Sequence, residues 1–176
     1  MKGLSVLAAL AVAAAANVAA GPPQAVDAAS SIPNYRLLQP DVASGGQPAP
    51  QALAKLKEMG FRTVVNLRTE QEGAADERKV VEAEGLRYVS VPVTAESLSL
   101  ADAEAVEKVL DDPSSAPVLL HCHSSNRVGA MWALIQARRG RSLDDALAAG
   151  REAGLTSPQL EAAVRRLVGS PAPSAP

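Results

Sequence analysis

The sequence predicts an α/β fold: a mainly parallel sheet with helices on both faces. Three observations carry that prediction. Short Val-rich runs alternate with helix-spaced segments, which implies right-handed crossovers between parallel strands. The apolar residues are mostly Ala, Val and Leu, with only Tyr35, Phe61, Tyr88 and Trp132 aromatic; small aliphatics suit helices packed closely on a sheet. The single cysteine, Cys122, falls in a polar stretch between an apolar run and a helix. In such sheets ligands bind beyond the carboxyl ends of the strands, and Cys122 falls at such an end.

The 176 residues correspond to one domain with extensions. Residues 1–20 read as a cleavable signal peptide. Lys2 supplies the positive start, Leu4 to Ala16 is apolar, and Val18 and Ala20 precede a cut before Gly21. The apolar run is near the lower limit for spanning a bilayer, so an uncleaved anchor is the alternative. Cleavage would leave no stable membrane insertion and place the protein in the periplasm or outside the cell. Residues 21–33 read as a flexible spacer, 34–169 as the folded domain and 170–176 as a disordered Pro/Ala/Ser tail. The net charge of −2 points to neither nucleic acid nor an anionic membrane. Few aromatics also argue against base stacking. One cysteine cannot form an internal disulfide, and a lone exported thiol invites oxidation, so its retention implies a use or deep burial.

Within the domain, Tyr35 to Leu38 reads as an edge strand and Ser44 to Pro48 as a turn. Ala49 to Met59 has Leu53, Leu56 and Met59 at helical spacing and ends at Gly60. Phe61 to Leu67 reads as a central strand. Ala75 to Glu84 reads as a charged helix with Val80 and Val81 on one side, stopped by Gly85. Arg87 to Val93 alternates as the next strand. Ser99 and Asp102 form a capping box for a helix over Leu100 to Leu110. Val118-Leu119-Leu120 reads as a buried strand, and Val128 to about Arg138 as a mostly buried helix. Ser142 with Asp145 opens another helix that stops near Gly154. Ser157 and Pro158 open the last, through Val168.

The loop between the Val118 strand and the following helix concentrates the chemistry. Loop N–H groups and a helix N-terminus favour a bound anion, and the same field favours a thiolate. Arg127 adds a planar fork suited to two oxygens of a phosphate or similar oxyanion. Alone in the first helical turn, that cation would oppose the dipole unless an anion were present. His121-Cys122-His123 is not expected to bind metal, because consecutive residues on extended backbone point to opposite sides and no other His exists. Arg68 either lines the rim of the cleft or pairs with Glu70. Trp132 reads as core, and Asp76 to Lys79 as a solvated helix face.

The His121-Cys122 pair, the loop closing on Arg127 and the strand and helix around them resemble the cysteine-dependent phosphatases. The nearer resemblance is to the bacterial dual-specificity-phosphatase-like family, whose domain also occurs fused to beta-lactamase-hydrolase-like proteins. SGGQPAPQAL from Ser44, VVNLR from Val64, GLRYVSVPV from Gly85 and the AGL-SP pattern after Ala153 belong to the same resemblance, which covers residues 34 to 168. It implies hydrolysis of a phosphate monoester through a cysteinyl-phosphate on Cys122. Arg127 and the N–H groups of His123, Ser124, Ser125, Asn126 and Arg127 would hold the phosphate oxygens. His121 would sit behind the cysteine, tuning its pKa and the loop's shape. A phosphorylated substrate is implied, and no metal or organic cofactor.

The sequence departs from the usual loop in three places. Four residues, not five, separate Cys122 from Arg127, a spacing shared with the bacterial subfamily and with some rhodaneses. Ser125 stands where a glycine is expected and would be strained if the position needs φ > 0. Val128 follows Arg127 where many relatives have Ser or Thr. The usual general-acid position falls on Thr94 or Ala95, and Glu96 is the nearest carboxylic acid. Two alternatives follow: a sulfurtransferase carrying a Cys122 persulfide, against which stands the missing upstream GHI-x-GA stretch, and an oxyanion-binding module without turnover.

Overall fold

The computed structural model describes residue 28 and residues 30–169. Five strands of four residues each form one sheet: β1 (Arg36–Gln39), β2 (Val42–Gly45), β3 (Thr63–Asn66), β4 (Arg87–Ser90) and β5 (Val118–His121). Their order across the sheet is β1-β2-β5-β3-β4, with β1 antiparallel to β2 and every other pair parallel. β5 therefore lies in the middle, buried along its whole length. Gly45, His121 and Asn66 are register partners at the carboxyl ends of β2, β5 and β3. Cys122 leaves the sheet at this common edge.

Side-chain alternation divides the core in two. Val65, Val118 and Leu120 face one layer, built from α3 (Leu100–Leu110), α4 (Asn126–Arg138), α5 (Leu143–Glu152) and α6 (Pro158–Gly169). Val64 and Leu119 face the other, with Leu53 of α1 (Pro50–Leu53) and Val81 of α2 (Ala74–Ala83). Helices cover both faces, as the alternation of elements predicts. Trp132 is core, packed on the α3–α6 side. The Ser99–Asp102 capping box forms, and the Ser142 side chain accepts from the Asp145 N–H.

Some expected elements differ. Residues 28, 30 and 31 are helical, and Ala28 and Ile32 are buried against the second layer, so the spacer does not extend through residue 33. Ser44 and Gly45 end a buried strand rather than open a turn. The helix expected over Ala49 to Met59 is α-helical only at Pro50–Leu53, then continues through turns such as Lys55 N–H to Ala52 O and Leu56 N–H to Leu53 O. Three-residue turns also bring i and i+3 together, so Leu53, Leu56 and Met59 are buried all the same. Of the two valines in α2, Val81 is buried and Val80 exposed, because neighbours on a helix point about 100° apart. The expected signal peptide and tail lie outside the described residues.

No helix among the described residues is long and apolar enough to cross a membrane.

Candidate active site

The loop from Cys122 to Arg127 joins the central strand to the most buried helix. Cys122 is buried, and its N–H reaches Gly45 O at 3.4 Å. Ser125 adopts φ 71, the left-handed conformation that a short loop needs before entering a helix, and does so without glycine. Ser125 O then accepts from Gly129 N–H at 2.9 Å, the first turn of α4. The N–H groups of His123, Ser124, Asn126 and Arg127 meet no acceptor among the described residues. These donors lie on the loop between Cys122 and Arg127 at a helix N-terminus, a setting suited to an oxyanion.

The motifs far from the loop hold its shape. Gln47 N–H donates to His123 O at 3.1 Å, and a Cβ on Gly46 would approach that oxygen to 2.9 Å. Gly154 has φ +116, and a Cβ there would meet Ser125 Cβ at 2.6 Å. The SGGQ and AGL stretches are thus backbone surfaces against which the loop packs. Asn126 does not aim its side chain at a ligand. Its Oδ1 accepts from Thr156 N–H at 2.7 Å and Ser157 N–H at 2.7 Å, tying the loop to the start of α6.

Arg127 is gripped from several sides. Nη1 and Nη2 donate to the two carboxylate oxygens of Glu72 at 2.7 and 2.6 Å, and Nη1 also reaches Val93 O at 3.1 Å. Glu72 lies in a short 3₁₀ turn, Glu70–Glu72, opened by Thr69 and closed by Gly73. The Arg127 hydrogen bonds are the main reason that its carboxyl falls to about 2; the Thr69 N–H and hydroxyl and the charge of Arg127 add to this, and partial burial opposes it. Arg127 is pushed up, first by Glu72 and then by the charge and hydrogen-bonding reach of Cys122, with burial opposing. Thiol, guanidinium and free N–H groups therefore meet in one place.

Beneath the loop is a sealed polar cluster. His121 is fully buried; Nδ1 lies 3.3 Å from Cys122 O, and Nε2 lies 2.7 Å from Glu77 Oε1, though off the axis of a well-aligned hydrogen bond. Glu77 also accepts from Arg68 Nη1 at 2.8 Å and Asn66 Nδ2 at 2.9 Å. Arg68 thus pairs with buried Glu77, neither lining the cleft nor meeting Glu70. Asn66 donates further to Tyr88 Oη, whose hydroxyl burial pushes up to about 12, with the Glu77 charge adding. The sequence places Glu77 in a solvated run, yet Ala74, Glu77 and Val81 share the buried side of α2. A carboxylate interrupting that apolar stripe is the signal that marks it. Glu72 has a different local signal, the Thr69-x-x-Glu72 capping-box spacing, which marks a helical turn but not its partner Arg127.

A cleft of about 520 Å³ opens over the loop, lined by residues including Glu72, Thr94, Glu96, Arg127, Gln159 and Leu160. Glu96 is exposed on this rim. Its carboxyl is held below the usual range, first by the Thr94 hydroxyl and then by its own backbone N–H. His123 and Ser124 are exposed on the loop, Ser125 is buried, and Val128 behind Arg127 is buried with no hydroxyl to offer. His123 is exposed while His121 is buried, and no group of three or more metal-ligating side chains exists among the described residues.

A five-stranded, mostly parallel sheet with a Cys-to-Arg loop at its central strand is the fold of the cysteine phosphatases. Residues 34–139, more than half of the chain, match the family described as beta-lactamase hydrolase-like protein, phosphatase-like domain, and the chain belongs to that family. The beta-lactamase hydrolase-like protein of Xylella fastidiosa (strain Temecula1) is 30% identical over 109 residues, covering 59% of this chain and 25% of the relative. The chain thus spans about a quarter of the length of the curated relatives it matches. Among solved structures, a Shewanella putrefaciens CN-32 protein provisionally named a phosphatase superposes with a TM-score of 0.65 at 24% identity, covering 82% of this chain and 97% of that one. P. aeruginosa TpbA does so at 0.62 and 22%, covering 88% and 92%.

Proposed function

We propose that this protein hydrolyses phosphate monoesters by a two-step transfer through Cys122. The observation that carries the reading is the convergence of Cys122, Arg127 and the unpaired N–H groups on one loop at the carboxyl edge of β5. In the first step the Cys122 sulfur attacks phosphorus, an S–P bond forms and the P–O bond to the leaving group breaks. In the second, water attacks phosphorus, the S–P bond breaks and inorganic phosphate departs. Arg127 and the loop N–H groups hold the equatorial oxygens through both steps. Glu72 keeps the guanidinium fork aimed, and phosphate shares it on arrival.

Proton delivery to the leaving oxygen is assigned to Glu96, the carboxyl on the rim nearest the expected position. Thr94 holds it ionised, so the role requires an incoming phosphate dianion to raise it. Aryl oxides, which leave without a donor, should therefore turn over fastest. A cysteine-to-serine form of TpbA is seen in complex with phosphotyrosine, which supports an aryl phosphate as the first substrate to try. Val128 supplies no hydroxyl to the departing thiolate, so the second step should be the slower.

The test is release of phosphate from p-nitrophenyl phosphate by the wild type and by Cys122→Ser. Activity lost in the variant supports the reading. Thiosulfate-to-cyanide sulfur transfer without phosphate release would replace it with a persulfide enzyme. Export through residues 1–20 belongs to the same proposal. Mass spectrometry finding Gly21 at the mature N-terminus would support it, and an intact Met1 on the membrane-bound form would refute it.

A further inference from the structure

The cleft that receives the substrate has an unusual charge balance for a phosphate site. Among the described residues its one cationic lining residue is Arg127, which is already paired with Glu72 through two hydrogen bonds. The second lining carboxylate, Glu96, has no cationic partner among the described residues; it hydrogen-bonds with Thr94 and its own backbone N–H. The rest of the wall that the substrate would meet is neutral, including Thr94, Ser157, Gln159 and Leu160. On the adjoining surface, Arg165 of α6 and Arg151 of α5 are both paired, each reaching Glu161 Oε1 at 2.8 Å. A phosphate arriving at Arg127 meets Glu72 and Glu96 as two carboxylates, before Glu96 takes up its proton, so the cleft it enters is acidic.

We infer that the site selects monophosphates whose surroundings are neutral or cationic and rejects substrates carrying a second phosphate or carboxylate beside the first, with Glu96 as the specificity-determining residue. This rests on the proposed phosphatase reading. A second anion next to the scissile phosphate would face Glu96 and Glu72, with no lysine or arginine besides Arg127 lining the cleft among the described residues to receive it. A flanking ammonium would find Glu96 unpaired. Like charges placed across a rim suppress the wrong partner more than opposite charges strengthen the right one.

Three phosphotyrosine peptides of one length, with lysine, alanine or aspartate flanking the phosphotyrosine, separate charge from chemistry because the leaving group stays the same. We expect kcat/KM to fall in the order Lys, Ala, Asp, with the extremes at least about fivefold apart at low salt and closer together as salt screens the rim. Glu96→Gln should shrink the Lys-to-Asp ratio, and Glu96→Lys should reverse it, whatever either change does to absolute rate. Equal kcat/KM values, or a ratio unmoved by Glu96→Gln, would overturn the inference. Affinities of the same peptides for Cys122→Ser supply the ratio without turnover. If p-nitrophenyl phosphate is not hydrolysed, the phosphatase reading fails, while the peptide affinities still decide the charge selection.

Discussion

Two arginine–glutamate pairs flank Cys122, alike in chemistry and opposite in setting. Arg127 and Glu72 meet at 2.6 Å with side-chain exposures of 15% and 32%; Arg68 and Glu77 meet at 2.8 Å with 5% and 3%. The first lies open to the cleft, where its carboxylate can yield part of the guanidinium to an incoming oxyanion. The second is sealed beneath the loop, braced by Asn66 and approached by His121. Exposure thus divides one interaction type into a working part and a supporting part. A partly exposed ion pair contributes little to stability, whereas a buried one is costly to break because its partner is left charged and alone.

The largest expected effect comes from breaking the sealed pair. Glu77→Ala strands Arg68 and should cost about 3–5 kcal/mol, read as a lower urea midpoint with unchanged slope. Glu72→Ala should cost far less in the same unfolding experiment. Comparable losses would show that the exposure difference does not separate the two pairs. Next in size, Arg127→Lys removes the planar fork while keeping the charge. It should lower kcat for an aryl phosphate about a hundred- to a thousandfold, with the urea midpoint nearly unchanged.

The open pair also has a pH signature. Glu72 is near 2 when folded, against an ordinary value of 4.5, so the folded protein binds fewer protons than the unfolded chain between those values. Its contribution to stability is full above about 4.5 and is lost as pH falls through about 2. Glu72→Gln should flatten that part of the acid-unfolding profile; an identical profile would contradict the pairing. The smallest effect is expected at Ser125. Ser125→Gly relieves a left-handed conformation at φ 71 but adds freedom to the unfolded chain. A net gain of about 1 kcal/mol is expected, and a loss would mean that the serine side chain contributes more than its backbone strain costs.

The two pairs also show what the sequence could and could not disclose. The strand–loop–helix around Cys122 was legible because apolar periodicity, a polar interruption and a fixed Cys-to-Arg spacing lie within one local stretch. The need for a left-handed residue was legible at Ser125, and the Ser99–Asp102 cap gave α3 its start. Glu72 and Glu77 were not found, since each meets its arginine or histidine across separate elements. Glu77 left its trace as a charge in the buried stripe of α2, and Glu72 as the capping-box partner of Thr69, which says nothing of Arg127. The sequence places a turn from Ser44 to Pro48 and marks no strand at β2, because its buried residues Val42 to Gly45 are few and small. Asn126 lay on the expected loop, but which way its side chain turned depended on the segment at Thr156 and Ser157.

The central claim is that Cys122 carries the phosphoryl group, and intact-mass spectrometry of acid-quenched enzyme during aryl phosphate turnover tests it most directly. The account predicts an added phosphoryl mass that maps to the peptide holding Cys122, favoured to accumulate by Val128 and absent from Cys122→Ser. Phosphate release that continues at the wild-type rate in Cys122→Ser would contradict it.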